Sequence, residues 1–312
     1  MPRTISRKPK PTVAVIGAGR LGQALAIALQ SSGYTIVALV ARRRQKAEKA
    51  ATLLKKTLGK TSRKTMPLPL AFAANQLDEL PATDLVLITT PDDAIAETAA
   101  RFTRFFSSQR RSTVLHTSGA LSSEVLAPLA RLGFQIGSIH PLISISEPVS
   151  GAAALHGAFF CLEGTRKAKL VAEAIVRDLG GHSFTIKAEN KALYHAAAVM
   201  AAPHLTALVD LAVDTLSACG LSQRKAQEVL MPLLVSTINN LKTANPRQAL
   251  TGTFARGDVA TVRRHLDALS GSKLAEAREI YILLGLRSLQ LAAANGLDPK
   301  IVTTIRRLLD KN

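Results

Sequence analysis

The sequence predicts two domains of different class, a doubly wound parallel α/β domain through residue 187 and an all-helical domain over 188–312. Three observations carry this division. Up to Lys187, short apolar runs alternate with segments of helical periodicity, the pattern of strands joined by crossover helices. From Asn190 onward the helical periodicity continues with little strand signal. At the first junction, Thr12–Ile16 runs into Gly17-Ala18-Gly19-Arg20-Leu21-Gly22, after which Leu21, Leu25 and Leu29 recur every fourth residue. That is a strand, a glycine turn and an amphipathic helix in series.

In that context the glycine turn reads as a Rossmann dinucleotide site. Gly17 permits the tight turn, Gly19 lets the backbone approach a pyrophosphate, and Gly22 lets the helix pack close on its strand. Arg20 and Leu21 complete the first turn of the helix, whose positive end receives the phosphates. The second strand is expected at Tyr34–Val40, and its end selects the cofactor. NAD calls for a carboxylate there to bind the ribose 2′-hydroxyl. The chain instead has Ala41-Arg42-Arg43-Arg44, with no Asp or Glu before Glu48. This favours NADP(H) over NAD, with Arg42 as the first clamp on a 2′-phosphate and Arg43 or Arg44 as auxiliaries.

Further strands are expected at Leu68–Phe72, Leu85–Thr89, Thr113–His116 and Gln135–Ile139. Two more, Ala158–Leu162 and Ser183–Ile186, flank a helix over Lys167–Leu179 and extend the same parallel sheet. The basic stretch Arg42–Lys64 reads as a lengthened helix and loop. Five helices follow, over Asn190–Ala218, Gln223–Lys242, Val259–Leu269, Lys273–Ala294 and Pro299–Leu309. Asp258 and Asp298 precede two of them as N-caps, with Pro299 at its tolerated first position.

Composition narrows the function classes. The 312 residues, 47% of them hydrophobic, suffice for two domains with cores of their own. The net charge of +18 comes largely from the tail Met1–Lys10 and from Arg42–Lys64. With no Trp, 4% aromatic residues and no nucleic-acid module, it reads as a solvated basic surface that draws in an anionic cofactor, which argues against a nucleic-acid partner. Cys161 and Cys219 lie far apart between apolar residues, as buried thiols of a reducing cytosol do, and lack metal-ligand spacing. The apolar run after the basic tail is cut by Gly17, Gly19, Arg20 and Gly22, unlike a signal peptide. Pro203, His204 and Asp210 interrupt Ala196–Val213, so this stretch reads as a buried or dimer-forming helix rather than a membrane span. The expectation is a cytoplasmic homodimer.

Reactive groups belong in the loops at the carboxyl ends of the strands. There stand Thr90-Pro91 after the fourth strand, His116-Thr117-Ser118-Gly119 at the fifth and His140 at the sixth. Small polar residues in such loops admit both a nicotinamide ring and a substrate, and Ser118 can donate and accept. Turn chemistry would use Pro91, Ser118 and Gly119 equally well. His116 and His140, each emerging from an apolar strand, read first as satisfied structural histidines. In the second domain Lys191 and His195 share a helical face that Ala198 and Ala202 continue with small side chains. A desolvated ammonium at Lys191 can donate a proton to a forming alkoxide, and an exposed first-turn lysine fits the spacing as well. Arg256, in the loop Thr251–Asp258, can hold a substrate carboxylate.

Several ordered motifs carry a resemblance. His116-Thr117-Ser118-Gly119-Ala120-Leu121, Ser138-Ile139-His140-Pro141-Leu142, Lys191-Ala192-Leu193-Tyr194-His195 and Ala249-Leu250-Thr251-Gly252 with Ala255-Arg256-Gly257-Asp258 resemble a bacterial family of Rossmann-like NADP oxidoreductases with a helical C-terminal domain of unknown function. This family is related to ketopantoate reductase, 6-phosphogluconate dehydrogenase, pyrroline-5-carboxylate reductase and prephenate dehydrogenase. The resemblance implies Lys191 as catalytic acid, His195 in the place of a substrate-contacting asparagine, a substrate-holding Ser118-Gly119 turn with His140 beside it, and pairing through the helical domain. Where that family has a Ser-Asn pair, this chain has Ala202-Pro203. The implied reaction is hydride transfer from NADPH to a small anionic 2-oxo acid of the ketopantoate type. A cyclic imine, or NADPH sensing without turnover, is the alternative.

Overall fold

The computed structural model describes residues 9–58, 68–105 and 112–310. The tail residues 1–8, and residues 59–64 of the basic stretch, lie outside them. By its internal contacts the chain divides into two compact units, Met1–Ala202 and Pro203–Asn312.

The first unit is built on an eight-stranded sheet of order β3-β2-β1-β4-β5-β6-β7-β8. The strands are β1 (Thr12–Ile16), β2 (Thr35–Ala41), β3 (Leu70–Ala73), β4 (Leu85–Ile88), β5 (Thr113–His116), β6 (Gln135–Pro141), β7 (Phe159–Gly164) and β8 (His182–Thr185). The helices that join them are α1 (Arg20–Ser31), α2 (Arg44–Leu58), α3 (Asp92–Phe105), α4 (Ala127–Arg131), α5 (Pro148–Ala154) and α6 (Arg166–Asp178). Alternation along the strands explains two cores. Val13 and Val15 of β1 join Leu25 and Leu29 of α1 and Ile175 of α6 on one face, while Ala14 and Ile16 join Ile95 and Phe102 of α3 on the other. Strands buried on both faces are the mark of a doubly wound sheet.

One pairing departs from the all-parallel expectation. β6 and β7 are antiparallel, with Gly137 opposite Gly164 and Pro141 opposite Phe160. The connection between them contains only the two-turn α5, which packs on α1, so the chain re-enters the sheet from the carboxyl end of β6. β8 then pairs parallel to β7 through the α6 crossover.

The sequence places the domain boundary at 187, whereas the compact unit extends to Ala202. The difference is α7 (Lys191–Ala201), whose first turn is tied by hydrogen bonds to the turn after β5 and to β6. The single helix expected over Asn190–Ala218 is two, because Ala202 leaves helical geometry (φ −127°, ψ −74°) ahead of Pro203. The restriction that proline places on the preceding residue accounts for the break.

The second unit contains α8 (Pro203–Ser217), α9 (Gln223–Thr243), α10 (Pro246–Ala249), α11 (Gly252–Arg256), α12 (Val259–Ala268), α13 (Ala275–Ala294) and α14 (Pro299–Asp310). Its core is small: Val262 and Leu266 of α12 with Leu289, Ile305 and Leu309. Asp258 caps α12 by accepting from the Thr261 amide at 3.0 Å. The expected loop Thr251–Asp258 is largely the short helix α11, closed by Gly257 in the left-handed conformation (φ 66°).

Candidate active site

Two groups of residues meet at the carboxyl ends of the strands in the first unit. The first is a cleft of about 630 Å³ lined by Gly17, Gly19, Arg42, Arg43, Thr90 and Pro91, among others. Its floor is the glycine turn. Gly17 and Ala18 donate their amides to the carbonyl of Val40 at the end of β2, both at 2.9 Å, and the Thr89 hydroxyl donates to the Gly17 carbonyl at 2.6 Å. Gly17 has φ +115°, and a Cβ there would stand 2.6 Å from the backbone of Thr89. A Cβ on Gly22 would stand 2.1 Å from the Gly17 carbonyl oxygen, while one on Gly19 would meet nothing. The turn is therefore fixed at Gly17 and Gly22 and open at Gly19.

Three features suit the cleft to a dinucleotide. At the N-terminus of α1 no side chain caps the helix, which leaves first-turn amides of Arg20 and Leu21 for an anion. The Thr90 hydroxyl is buried beside the cleft with no hydrogen-bond partner. Arg42 and Arg43 enter from the end of β2, Lys46 from α2 and Arg101 from α3. Among the described residues lining the cleft the one carboxylate is Glu97, already paired with Arg101 at 3.3 Å. Lys46 and Arg101 went unforeseen in the sequence, although Ala94, Glu97, Thr98 and Arg101 have the spacing of one helical face.

The second group is a polar cluster around the turn after β5. Lys191 of α7 is 1% exposed. Its ammonium donates to the Ser118 carbonyl at 2.9 Å and to the Ser138 hydroxyl at 2.8 Å, and lies 5.7 Å from the centre of the Tyr194 ring. Its hydrogens are thus directed at two oxygens and a π face. Burial pushes its pKa down, against which Cys161, Glu163 and Asp92 act. Lys191 is therefore not the exposed first-turn lysine that its spacing allowed. Nor does its ammonium stand free as a proton donor, because its hydrogen bonds hold the turn.

Ser118 is committed in the same way. Its hydroxyl donates to Asp92 at 2.8 Å and accepts from the amides of Ala120 at 3.1 Å and Leu121 at 2.9 Å, which uses its one proton and both lone pairs. Of the two sequence readings, the geometry carries the turn and corrects the substrate-orienting one. His116 is fully buried and satisfied on both nitrogens, by the Ser118 amide and the Ser122 carbonyl, each at 3.2 Å. Burial, with the Lys191 charge behind it, lowers its pKa to about 4.

His140, Tyr194 and His195 form the half-buried rim. The Tyr194 hydroxyl lies 2.6 Å from His140 Nδ1 and is also in hydrogen-bond contact with the Cys161 thiol. Burial lowers the His140 pKa to about 4, with Lys191, His195 and His116 adding to the effect, and it raises those of Tyr194 and Cys161. The phenol has one proton to give, to His140 Nδ1 or to the Cys161 sulfur, and the first choice places the His140 hydrogen on Nε2. The Nδ1 atom of His195 is buried without a partner. Tyr194 and Ser138 went unforeseen, since nothing in the sequence pairs positions 54 residues apart. Arg256 is exposed in the second unit.

Residues 3–141 match the model of a Rossmann-like domain, and residues 158–288 match that of a domain of unknown function, DUF2520. The chain thus matches a Rossmann-like domain and then DUF2520 in succession. The second match begins next to β7, so the DUF2520 span includes the strands added after the antiparallel reversal. The polar cluster draws on both spans, Ser118, Ser138 and His140 from one and Cys161, Lys191, Tyr194 and His195 from the other. No curated protein matches the chain. Among solved structures, a Bacteroides fragilis protein named "putative NADP oxidoreductase" is similar at TM-score 0.71 and 21% identity, over 90% of this chain and 99% of that one. Protein TM1727 from Thermotoga maritima is similar at TM-score 0.67 and 21% identity, over 91% and 99%. An imine reductase from Pseudomonas sp. is similar at TM-score 0.57 and 20% identity, over 96% and 99%. At these identities the likeness is one of fold.

Proposed function

We propose that the protein is an NADPH-dependent oxidoreductase that reduces the carbonyl of a small 2-oxo acid. The observation that carries the cofactor reading is the end of β2, where Arg42 and Arg43 enter the cleft beside the glycine turn and no carboxylate stands in the position that NAD calls for. Bound NADPH supplies the hydride. The chain supplies the turn for the pyrophosphate, Arg42 for the 2′-phosphate, and the unpartnered Thr90 hydroxyl at the cleft wall. The names of the similar structures, an NADP oxidoreductase and an imine reductase among them, agree with a reductase.

A carbonyl is favoured over an imine by the buried Lys191 ammonium. Its charge lowers the pKa of both His116 and His140. A positive field of that kind stabilises a forming oxyanion and disfavours a cationic iminium. The apolar surface of the helical unit supports assembly as a homodimer in the cytoplasm.

Calorimetric titration with NADPH and NADH tests the cofactor, and NADPH oxidation against a panel of 2-oxo acids, ketopantoate included, and cyclic imines tests the reaction. The expected result is a preference for NADPH with turnover of a 2-oxo acid. Turnover of imines alone overturns the carbonyl reading. Tight NADPH binding with no turnover favours a sensor.

A further inference from the structure

Gly119 is surrounded by two imidazoles. A Cβ at this position would stand 2.3 Å from His195 Nδ1 and 2.9 Å from His140 Nε2, and the two rings meet edge to face at 5.6 Å between centroids. His140 Nδ1 lies 2.6 Å from the Tyr194 hydroxyl, and a phenol that donates there leaves an N–H at Nε2. His195 Nδ1 is a buried ring nitrogen with no partner, a costly state that a ligand atom relieves. Both rings stay half-buried at the carboxyl end of the sheet, whereas Lys191 and Ser118 are enclosed and fully engaged.

We propose that His140 and His195 are the residues that touch the substrate carbonyl oxygen, as paired donors through His140 Nε2–H and His195 Nδ1–H, and that Lys191 and Tyr194 are positioning residues. This rests on the reductase reading above. When hydride adds to the carbonyl carbon, the C=O π bond breaks and its electron pair goes to oxygen. The oxygen takes the proton of His140 Nε2, the Tyr194 hydroxyl proton moves to Nδ1, and solvent reprotonates the half-buried phenol. One hydride and one proton are consumed and one alcohol forms. Tyr194 fixes which nitrogen of His140 faces the oxygen. Lys191 holds the Ser118-Gly119 turn against both rings.

The test combines side-chain ¹⁵N NMR of the labelled NADPH complex with kinetics on whichever 2-oxo acid of the panel is turned over. The spectra should show His140 protonated on Nε2 and His195 on Nδ1, and Tyr194→Phe should mix the two His140 tautomers. Removing one donor of such a pair costs roughly 10²–10³ in kcat, so His140→Leu and His195→Leu should each lose that much with NADPH affinity unchanged. His195→Asn, whose amide nitrogen can stand where Nδ1 stands, should stay within about tenfold of wild type. Leu variants within threefold of wild type, equal losses in His195→Asn and His195→Leu, or His140 protonated on Nδ1 would each overturn the proposal with the reductase reading intact. A wild-type protein that turns over no 2-oxo acid removes that reading, and this proposal with it.

Discussion

Gly119 is the residue whose size the site can least afford to change. Its backbone carries no positive φ, so the constraint is space alone, a Cβ falling 2.3 Å from a ring nitrogen. Gly119→Ala should therefore fold, at a cost of about 1–3 kcal/mol from overpacking. Turnover should fall more than tenfold while calorimetry shows NADPH affinity unchanged, since the glycine turn lies elsewhere. His116 and His140 make a pH prediction. Their folded pKa near 4 lies below the ordinary 6.5, so the unfolded chain binds more protons between those values. Stability is complete above about pH 6.5 and is lost as pH falls towards 4, by on the order of 3 kcal/mol for His116 and less for the more exposed His140. Urea denaturation at pH 7 and pH 5 should show the loss, and His116→Gln should reduce it. At this scale the sequence named most of the cluster but not its roles. Lys191 and Ser118 were visible as chemistry-bearing residues, yet the hydrogen bonds that engage them, from Lys191 to Ser118 and Ser138 and from Ser118 to Asp92, join segments far apart in sequence. Tyr194, in contact with His140 Nδ1, looked like any residue of an alanine-rich helix.

The residues that follow β2 are proposed to decide cofactor choice. One charge-assisted hydrogen bond is worth about 1.5–3 kcal/mol, so Arg42→Ala should weaken NADPH binding roughly 10- to 100-fold and leave NADH binding unchanged by calorimetry. Equal loss for both cofactors would place Arg42 away from the 2′-phosphate. Elements were more legible than roles: β5 falls on its expected residues, and β2 and α6 within one residue at each end, because strand alternation and helical periodicity are local signals. The direction of β7 was not legible. A short buried run such as Phe160-Cys161-Leu162 has the same composition whichever way it pairs, and only the brevity of α5 imposes the reversal. Pro203 was legible as an interruption of the apolar stretch, but that the break would leave α7 with the sheet unit was not.

For the whole molecule, the helical unit buries little and exposes much. Its core cluster has five buried residues, while Val229, Leu233, Val235, Ile238 and Leu241 of α9 are each at least 44% exposed. The stretch Ala188–Ser217 is long and apolar enough to cross a membrane, and only 6% of its 18-residue window of mean hydropathy 1.6 is buried, although Pro203 breaks its helix. Exposed apolar surface of this extent marks an interaction face, here proposed to receive a second copy. Light scattering should give a dimer mass for the wild type and a monomer mass for Leu233→Asp at micromolar concentration. A monomeric wild type would remove the assignment.

The attachment of α7 to the sheet also fixes an order of events on the ribosome. Every residue lining the nucleotide cleft lies at or before Arg101, but the ammonium that holds the Ser118 turn arrives only at Lys191 and the paired imidazoles only at His195. A nascent chain thus has its cofactor cleft available some ninety residues before the groups proposed for chemistry exist, as counted between Arg101 and Lys191. A fragment cut at residue 187 would leave the Ser118 carbonyl without its donor, whereas one cut at 202 would keep the polar cluster whole. Of the two, the longer fragment should resist proteolysis better, with the gain lost in Lys191→Met.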